Sequence, residues 1–168
     1  MPDRNAALID YVSRLYPRPG VEPLLLRLQN EHDLDVLLLL AACWLGCSGR
    51  AAAVADWRAI AAWQAPWHQQ VIAPLRAARV AVRAARVAVR GMEGDTTLYS
   101  QIKDCEQAAE WLQLGRLEVE CLRLIPTGEA EPDCLQHLIC CCFAQGVVVN
   151  DALRAQLQEL GERAARVG

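Results

Sequence analysis

The stretch from Leu15 to Leu45, LYPRPGVEPLLLRLQNEHDLDVLLLLAACWL, constrains the fold more than any other part of the chain. Near its start, two prolines restrict the backbone dihedral φ and the glycine after them permits positive φ. This combination is typical of a turn before a helix. Apolar side chains then recur at the spacing of one helical face, at Val21, Leu24, Leu25 and Leu28. The segment from Leu37 to Leu45 is apolar on every side, so we predict a helix buried in the core.

Polar residues separate these two apolar segments. The sequence from Asn30 to Asp33 favours caps and turns, and Asp33 or Asp35 can accept the free N–H groups of a new helix. By the same reasoning, Asn150 or Asp151 is expected to cap the last helix.

The residue types favour helices throughout the chain. The protein contains only one Phe and is rich in Ala and Leu, so we predict an all-α fold. We expect one domain over residues 1–168, a compact bundle of six to seven helices. Two long helices, at 68–90 and 97–125, leave six residues between them, which predicts a central antiparallel hairpin. The residues expected to face inward on the second helix are Leu98, Ile102, Cys105, Ala109, Leu112 and Val119.

Three segments together resemble a known family. They are the stretch above, PWHQQVIAPLRAARVAVR from Pro66 to Arg83, and LYSQIKDCEQAAEWLQ from Leu98 to Gln113. In this order they resemble a family of short bacterial, chiefly proteobacterial, helical proteins that is catalogued as a domain of unknown function. The resemblance covers about residues 10–125 and implies no functional residue, while about 128–168 is expected to be variable. Leu37 departs from the family, which usually has Asn at this position.

The N-terminal sequence lacks the apolar region of a signal peptide, and no apolar run reaches the length of about 18 residues that a membrane span needs. We therefore expect a cytoplasmic protein without a membrane partner. In that compartment the eight cysteines should be reduced thiols.

The cysteines suggest two interpretations. Four of them lie on apolar helical faces and are expected to act as small hydrophobic residues, namely Cys43, Cys105, Cys121 and Cys140. Alternatively, Cys43 and Cys47, one helical turn apart, hold Zn²⁺ or Cu(I) with ligands drawn from Cys134, Cys140, Cys141, Cys142 and His137. The C-x2-C pairs that are typical of zinc sites are absent, so we predict no metal and no cofactor.

Positive charge concentrates in the middle of the chain. Residues 57–92 contain six arginines and no acidic residue, and the heptad AARVAVR occurs there twice, at 77–83 and 84–90. On a helix, five arginines form a band beside an apolar face, which we call the arginine band: Arg76, Arg79, Arg83, Arg86 and Arg90. The band either pairs with acids of the next helix, such as Glu106, Glu110 and Glu118, or docks an acidic protein, a phosphate or RNA. The net charge of −3 argues against nucleic acid.

Four tryptophans fall within 24 residues, at Trp44, Trp57, Trp63 and Trp67. Pro66 predicts a helix junction, with Trp67 at the start of the following helix. The tryptophans either fill the core or, at Trp63 and Trp67 together with His68, rim a pocket for a partner.

Catalytic signatures are absent from the sequence, including phosphate-binding glycine loops and H-E-x-x-H. His32, His68 and His137 are expected at caps or helix surfaces, and a Cys–His pair such as Cys43 with His137 is the enzymatic alternative. We predict a non-catalytic protein-binding or adaptor module that uses the arginine band, Trp63, Trp67 and His68. The partner is expected to be another protein, with a homo-oligomer, a thiol–metal bundle and nucleic-acid or phosphate binding as alternatives.

Overall fold

The computed structural model describes residues 7–51, 53–88, 95–125 and 130–167, with the side chains of 86–88 and 95–96 outside the description. The helices are α1 (Leu8–Leu15), α2 (Val21–His32), α3 (Val36–Cys47), α4 (Val54–Trp67), a π-helical turn (His68–Ile72), α5 (Ala73–Ala88), α6 (Asp95–Leu124), α7 (Cys134–Ala144) and α8 (Asp151–Ala165). Since α4, the π-helical turn and α5 follow without a break, these ranges contain seven helical segments and no strand. The predicted all-α class is confirmed.

The described residues form two compact units. Unit 1 comprises those up to Trp63 and those from Leu114 onward, and unit 2 runs from Gln64 to Gln113. In unit 1, α3 packs against α1, α2, α7 and α8. All its side chains from Leu37 to Leu45 are buried, which confirms the predicted core helix.

Side-chain caps set the helix starts in unit 1. Oδ1 of Asp35 accepts from the backbone N–H of Leu37 at 2.8 Å, so Asp35 begins α3. Asp33 instead ends α2 in the left-handed conformation, at φ 55°. Asn150 caps α8 by accepting from the N–H of Leu153 at 2.8 Å. The sequence had offered two candidates at each of these helix starts, and Asp35 and Asn150 fill the positions.

The C-terminal helices α7 and α8 belong to the core of unit 1. Both pack against α3, and α7 packs against α8. A Cβ added at Gly46 of α3 would lie 2.5 Å from Cα of Cys134, so only glycine allows this approach of α7. The region expected to be variable is thus an integral part of the core.

Unit 2 is an antiparallel helical hairpin. The Nε1–H of Trp67 donates to the carbonyl of Ala109 at 3.3 Å, and farther along the chain Nε of Arg76 donates to Glu106 at 3.1 Å. The partner number falls as the residue number rises, which is the signature of antiparallel neighbours. The predicted hairpin is confirmed for these residues, and its connection, 89–94, lies outside the described residues.

The predicted helix junction at Pro66 is wrong, because Pro66 lies inside α4 and the helix continues. Proline lacks an N–H group and cannot make the usual bond to the preceding turn. The π-helical turn at His68–Ile72 follows directly, a wider turn of the kind that accommodates such a break.

The predicted inward face of α6 is also largely wrong. Four of its six members are exposed: Leu98, Cys105, Leu112 and Val119. In unit 2 the buried positions of α6 are instead Glu106, Ala109 and Gln113. The helix buries a partly polar face and leaves an apolar one in solvent.

Candidate functional site

An exposed apolar stripe runs along α6 in unit 2. Leu98 is 46% exposed and Leu112 is 57% exposed, although both are leucines on a long, well-formed helix. The exposed positions that follow a spacing of three and four residues are Leu98, Gln101, Cys105, Ala108 and Leu112, and we call them the α6 stripe. At about 1.5 Å per residue the stripe is about 21 Å long.

The spacing of the α6 stripe is that of a helix that pairs with another helix. Alternating steps of three and four residues give a mean of 3.5, the repeat of a coiled-coil seam. Leu98 and Leu112 are each seven residues from Cys105. A two-fold axis passing at Cys105 therefore places Leu98 of one helix opposite Leu112 of an antiparallel copy.

The arginine band lies on α5, and its first two members pair with α6. The guanidinium groups of Arg76 and Arg79 both donate to the carboxylate of Glu106, and Nη2 of Arg76 also donates to Glu110 at 3.2 Å. Arg83 is exposed, while the side chain of Arg86 and the whole of Arg90 lie outside the described residues. Of the two interpretations, pairing with the next helix therefore describes Arg76 and Arg79.

Glu106 is the centre of this charge cluster and is only 6% exposed. Burial alone would raise the pKa of its carboxyl group, but hydrogen bonds from Arg79 and Arg76 outweigh burial, and the pKa is lowered. The same pairing raises the pKa of Arg79. Both partners are held in their charged forms, so this cluster stabilises the hairpin.

The tryptophan positions fall in different units. In unit 1, Trp63 is half-buried, and Cζ of Arg116 lies 5.5 Å from its ring centroid, within range of a cation–π contact. In unit 2, Trp67 and His68 are half-buried, and Trp67 bonds the backbone of Ala109. Each tryptophan thus has a packing role within its own unit.

A second polar cluster lies in unit 1, where α1, α3 and α7 bring Tyr11, Cys47 and Cys134 together. The Sγ atoms of Cys47 and Cys134 are 3.0 Å apart, and the Tyr11 hydroxyl is 3.5 Å from Sγ of Cys47. The same hydroxyl also donates to the carbonyl of Ala164 at 3.3 Å. Sequence reasoning named Cys134 as one of several candidate partners of Cys47, but across a sequence separation of 87 no local spacing could single it out.

Hydrogen bonding shifts the pKa values of the two thiols in opposite directions. Hydrogen bonds from Cys134 and Tyr11 lower the pKa of Cys47 to about 7, against the opposing effect of burial. The pKa of Cys134 is raised, first by its hydrogen bond with Cys47 and then by its burial. Cys47 is therefore the thiol of the pair that ionises first as the pH rises, and Cys134 keeps its proton.

In the described part of the chain, the pair of Cys47 and Cys134 lacks the third ligand that a metal site would need. Within the described ranges, no group of three or more His, Cys, Asp or Glu side chains could hold a metal ion. Cys43 is completely buried, and burial raises the pKa of its thiol well above the usual value. Cys43, Cys121 and Cys140 are buried as expected for small hydrophobic residues, whereas Cys105 is exposed.

His137 is a core histidine rather than the surface residue expected from the sequence. It is 2% exposed, and its ring meets that of Trp57 edge-on at a centroid distance of 6.0 Å. Burial lowers the pKa of the imidazole, and Nε2 bonds the carbonyl of Arg50. These contacts give His137 a structural role between α7 and the segment that precedes α4.

Comparison with known proteins gives one match. The family model described as Protein of unknown function (DUF2390) matches residues 7–117. No curated protein and no solved structure matches the chain. Among the described residues, no helix has the length and apolarity needed to cross a bilayer.

Proposed function

Since this chain belongs to the DUF2390 family of proteins of unknown function, we propose a function from its own geometry: it is a non-catalytic protein-binding module. The observation that carries this proposal is the α6 stripe, which holds two half-exposed leucines in coiled-coil spacing. The occupant that we assign to the stripe is the same stripe of a second copy. The protein would then act as a paired helical scaffold.

Self-pairing follows from the symmetry of the stripe. The residues seven positions before and seven positions after Cys105 are both leucines, so a two-fold arrangement matches these two apolar side chains without requiring a separately matched sequence. Ala108 is small and allows two helices to approach closely. Burying Leu98 and Leu112 against their counterparts removes apolar surface from water, which is the main driving force for such association.

The charge cluster of the hairpin supports binding through α6 rather than through the arginine band. Arg76 and Arg79 already pair with Glu106, so little of their charge is left to attract an acidic partner or RNA. Those contacts also fix α5 against a neighbouring face of α6, about 100° around the helix axis from the stripe. The stripe is thereby presented on a rigid helix, which lowers the entropic cost of binding.

Sedimentation velocity over a range of protein concentrations tests the proposal. We expect the wild-type protein to dimerise, and the double substitution Leu98→Lys with Leu112→Lys to abolish the dimer, because two buried ammonium groups would face each other. Leu26→Lys is the matched control, since Leu26 is an exposed leucine of unit 1 with 43% exposure. Its dimerisation should be unchanged.

Two outcomes would overturn this proposal. One is a wild-type protein that remains monomeric at every concentration. The other is a dimer that the double substitution leaves intact while circular dichroism shows the helical content preserved. If the chain is monomeric but binds a different protein through the α6 stripe, that protein is the occupant of the stripe and the second copy is not.

A further inference from the structure

A pocket opens beside the cysteine pair in unit 1 and does not involve the α6 stripe. Its volume is about 370 Å³, and both Cys47 and Cys134 line it. The rest of its lining includes two carboxylates, Asp133 and Glu162, together with Gln158 and Pro132. A small molecule in this pocket would lie beside both cysteines.

The backbone holds Cys134 in a fixed position at this pocket. Cys134 is the first residue of α7, and the N–H of Asp133 donates to the carbonyl of Gly46 at 3.1 Å. A Cβ added at Gly161 of α8 would lie 3.4 Å from Cβ of Cys134, so α3 and α8 enclose the cysteine from two sides. Moving the sulfurs together by about 1 Å would reach the disulfide bond length of about 2.05 Å.

From this arrangement we propose that Cys47 and Cys134 are a redox-active dithiol that reduces a small, amine-bearing disulfide bound in the adjoining pocket. This site is independent of the proposed protein-binding function. We assign an amine-bearing disulfide because the pocket lining is acidic. Asp133 and Glu162 attract cationic groups and repel carboxylates.

The reaction is a two-step thiol–disulfide exchange. The Cys47 thiolate attacks one sulfur of the small disulfide, a mixed disulfide forms on Cys47, and the first small thiolate leaves with the electron pair. Cys134 then gives its proton to a departing thiolate and attacks Sγ of Cys47, which releases the second small thiol. The protein loses two electrons as the intramolecular disulfide forms, and the small disulfide becomes one thiol, protonated by Cys134, and one thiolate, which takes its proton from water.

The division of roles between the sulfurs follows from their surroundings. Cys47 is the nucleophile because its thiolate lies within hydrogen-bond distance of the Cys134 thiol and of the Tyr11 hydroxyl, which shares its one proton with the carbonyl of Ala164. Cys134 is the resolving thiol, since it is 8% exposed while Cys47 is half-buried, and its Sγ lies 3.0 Å from that of Cys47. The N-terminus of α7 adds a favourable field for negative charge at the pair.

Cystamine, a cationic disulfide, is the probe for this reaction, and Cys105→Ser removes the exposed cysteine of α6 from every sample. We expect release of two equivalents of cysteamine per chain and a peptide that links Cys47 to Cys134 in the mass spectrum. Cys134→Ser should stop at one equivalent, with cysteamine attached to Cys47. Cys47→Ser should leave Cys134 unmodified, and the buried control Cys121→Ser should behave like its parent.

The class of disulfide is tested by replacing cystamine with oxidised glutathione, which carries a net negative charge. At low salt cystamine should react at least about threefold faster, and the difference should shrink in high salt, since two nearby carboxylates act through water. Equal rates would overturn the assigned class. A persistent adduct on Cys47 in the presence of Cys134, or no linked peptide in the protein with both cysteines, would overturn the dithiol itself.

Discussion

Single residues of the arginine band differ in what they contribute, although their sequence context is a repeated heptad. Arg79 is the first arginine of the first heptad copy, and it donates to Glu106 of the neighbouring helix. Arg83, one helical turn later, is exposed. The difference arises from the position of Glu106 on the neighbouring helix. A repeated heptad alone therefore does not indicate which arginine is structural.

Arg79→Gln and Arg83→Gln form a matched pair that tests this difference. Arg79→Gln should lower the free energy of unfolding by about 1 kcal/mol, because it removes a charged hydrogen-bond partner from a buried carboxylate. In a protein of this size that is a decrease of about 3 °C in melting temperature. Arg83→Gln should change stability by less than about 0.5 kcal/mol. Thermal unfolding followed by circular dichroism measures both, and equal effects would contradict the pairing.

Cys47 should show its lowered pKa in its rate of alkylation. With Cys105 replaced by Ser, the rate of modification of Cys47 by iodoacetamide should rise with pH and reach half its maximum near the pKa of about 7. The ionisable groups that act on Cys47 are Tyr11, Cys43 and Cys134, and the carboxylates of Asp133 and Glu162 belong to residues that line the same pocket.

Tyr11→Phe should move that midpoint to higher pH, because it removes a hydrogen bond to the thiolate. Tyr16→Phe is the control in the same unit and should leave it in place. A midpoint near the ordinary thiol value of 9.0 in the parent protein would refute this description of Cys47.

At the scale of helices, patterns of apolar residues predict where a helix lies in the sequence better than they predict which of its faces is buried. The segment from Leu37 to Leu45 is apolar on all sides, so every orientation of α3 buries it, and the core position could be predicted. On α6 the sequence interpretation placed Leu98, Cys105 and Leu112 of the α6 stripe in the core, and all three are exposed. The hairpin instead buries Glu106 and Gln113, since Arg76, Arg79 and Gln64 on the other helix satisfy them. A pattern in one helix carries no information about such partners on another.

The close approach of α3 and α7 should make Gly46 intolerant of a side chain. Gly46→Ala places a Cβ 2.5 Å from a backbone atom of Cys134, so the helices must separate, and we expect a loss of about 2 to 3 kcal/mol. Gly115→Ala is the matched control within α6, where the nearest atom to the new Cβ is 3.6 Å away. There alanine should be neutral or stabilise by up to about 1 kcal/mol. Chemical denaturation of both variants measures the contrast.

At the scale of the whole chain, the sequence predicted the class, the number of helical segments and the hairpin, but not which distant segments meet. Cys47 and Cys134 lie in helices separated by the residues of unit 2, and no local spacing connects them. The C-terminal helices lie beyond the matched family region, yet they pack against α3 within it. Long-range contacts of this kind depend on packing complementarity, which short-range periodicity does not record.

Covalent capture at Cys105 is the most direct test of the proposed pairing through α6. In a Cys47→Ser background, Cys105 is the remaining exposed thiol among the described cysteines. A short bifunctional maleimide should then link two chains at the two-fold axis and give a covalent dimer on a denaturing gel. The dimer should persist with Leu26→Lys and disappear with Cys105→Ser or with Leu98→Lys and Leu112→Lys combined. Absence of the cross-linked dimer in the background protein, or its persistence when both stripe leucines carry charge, would contradict binding through the α6 stripe.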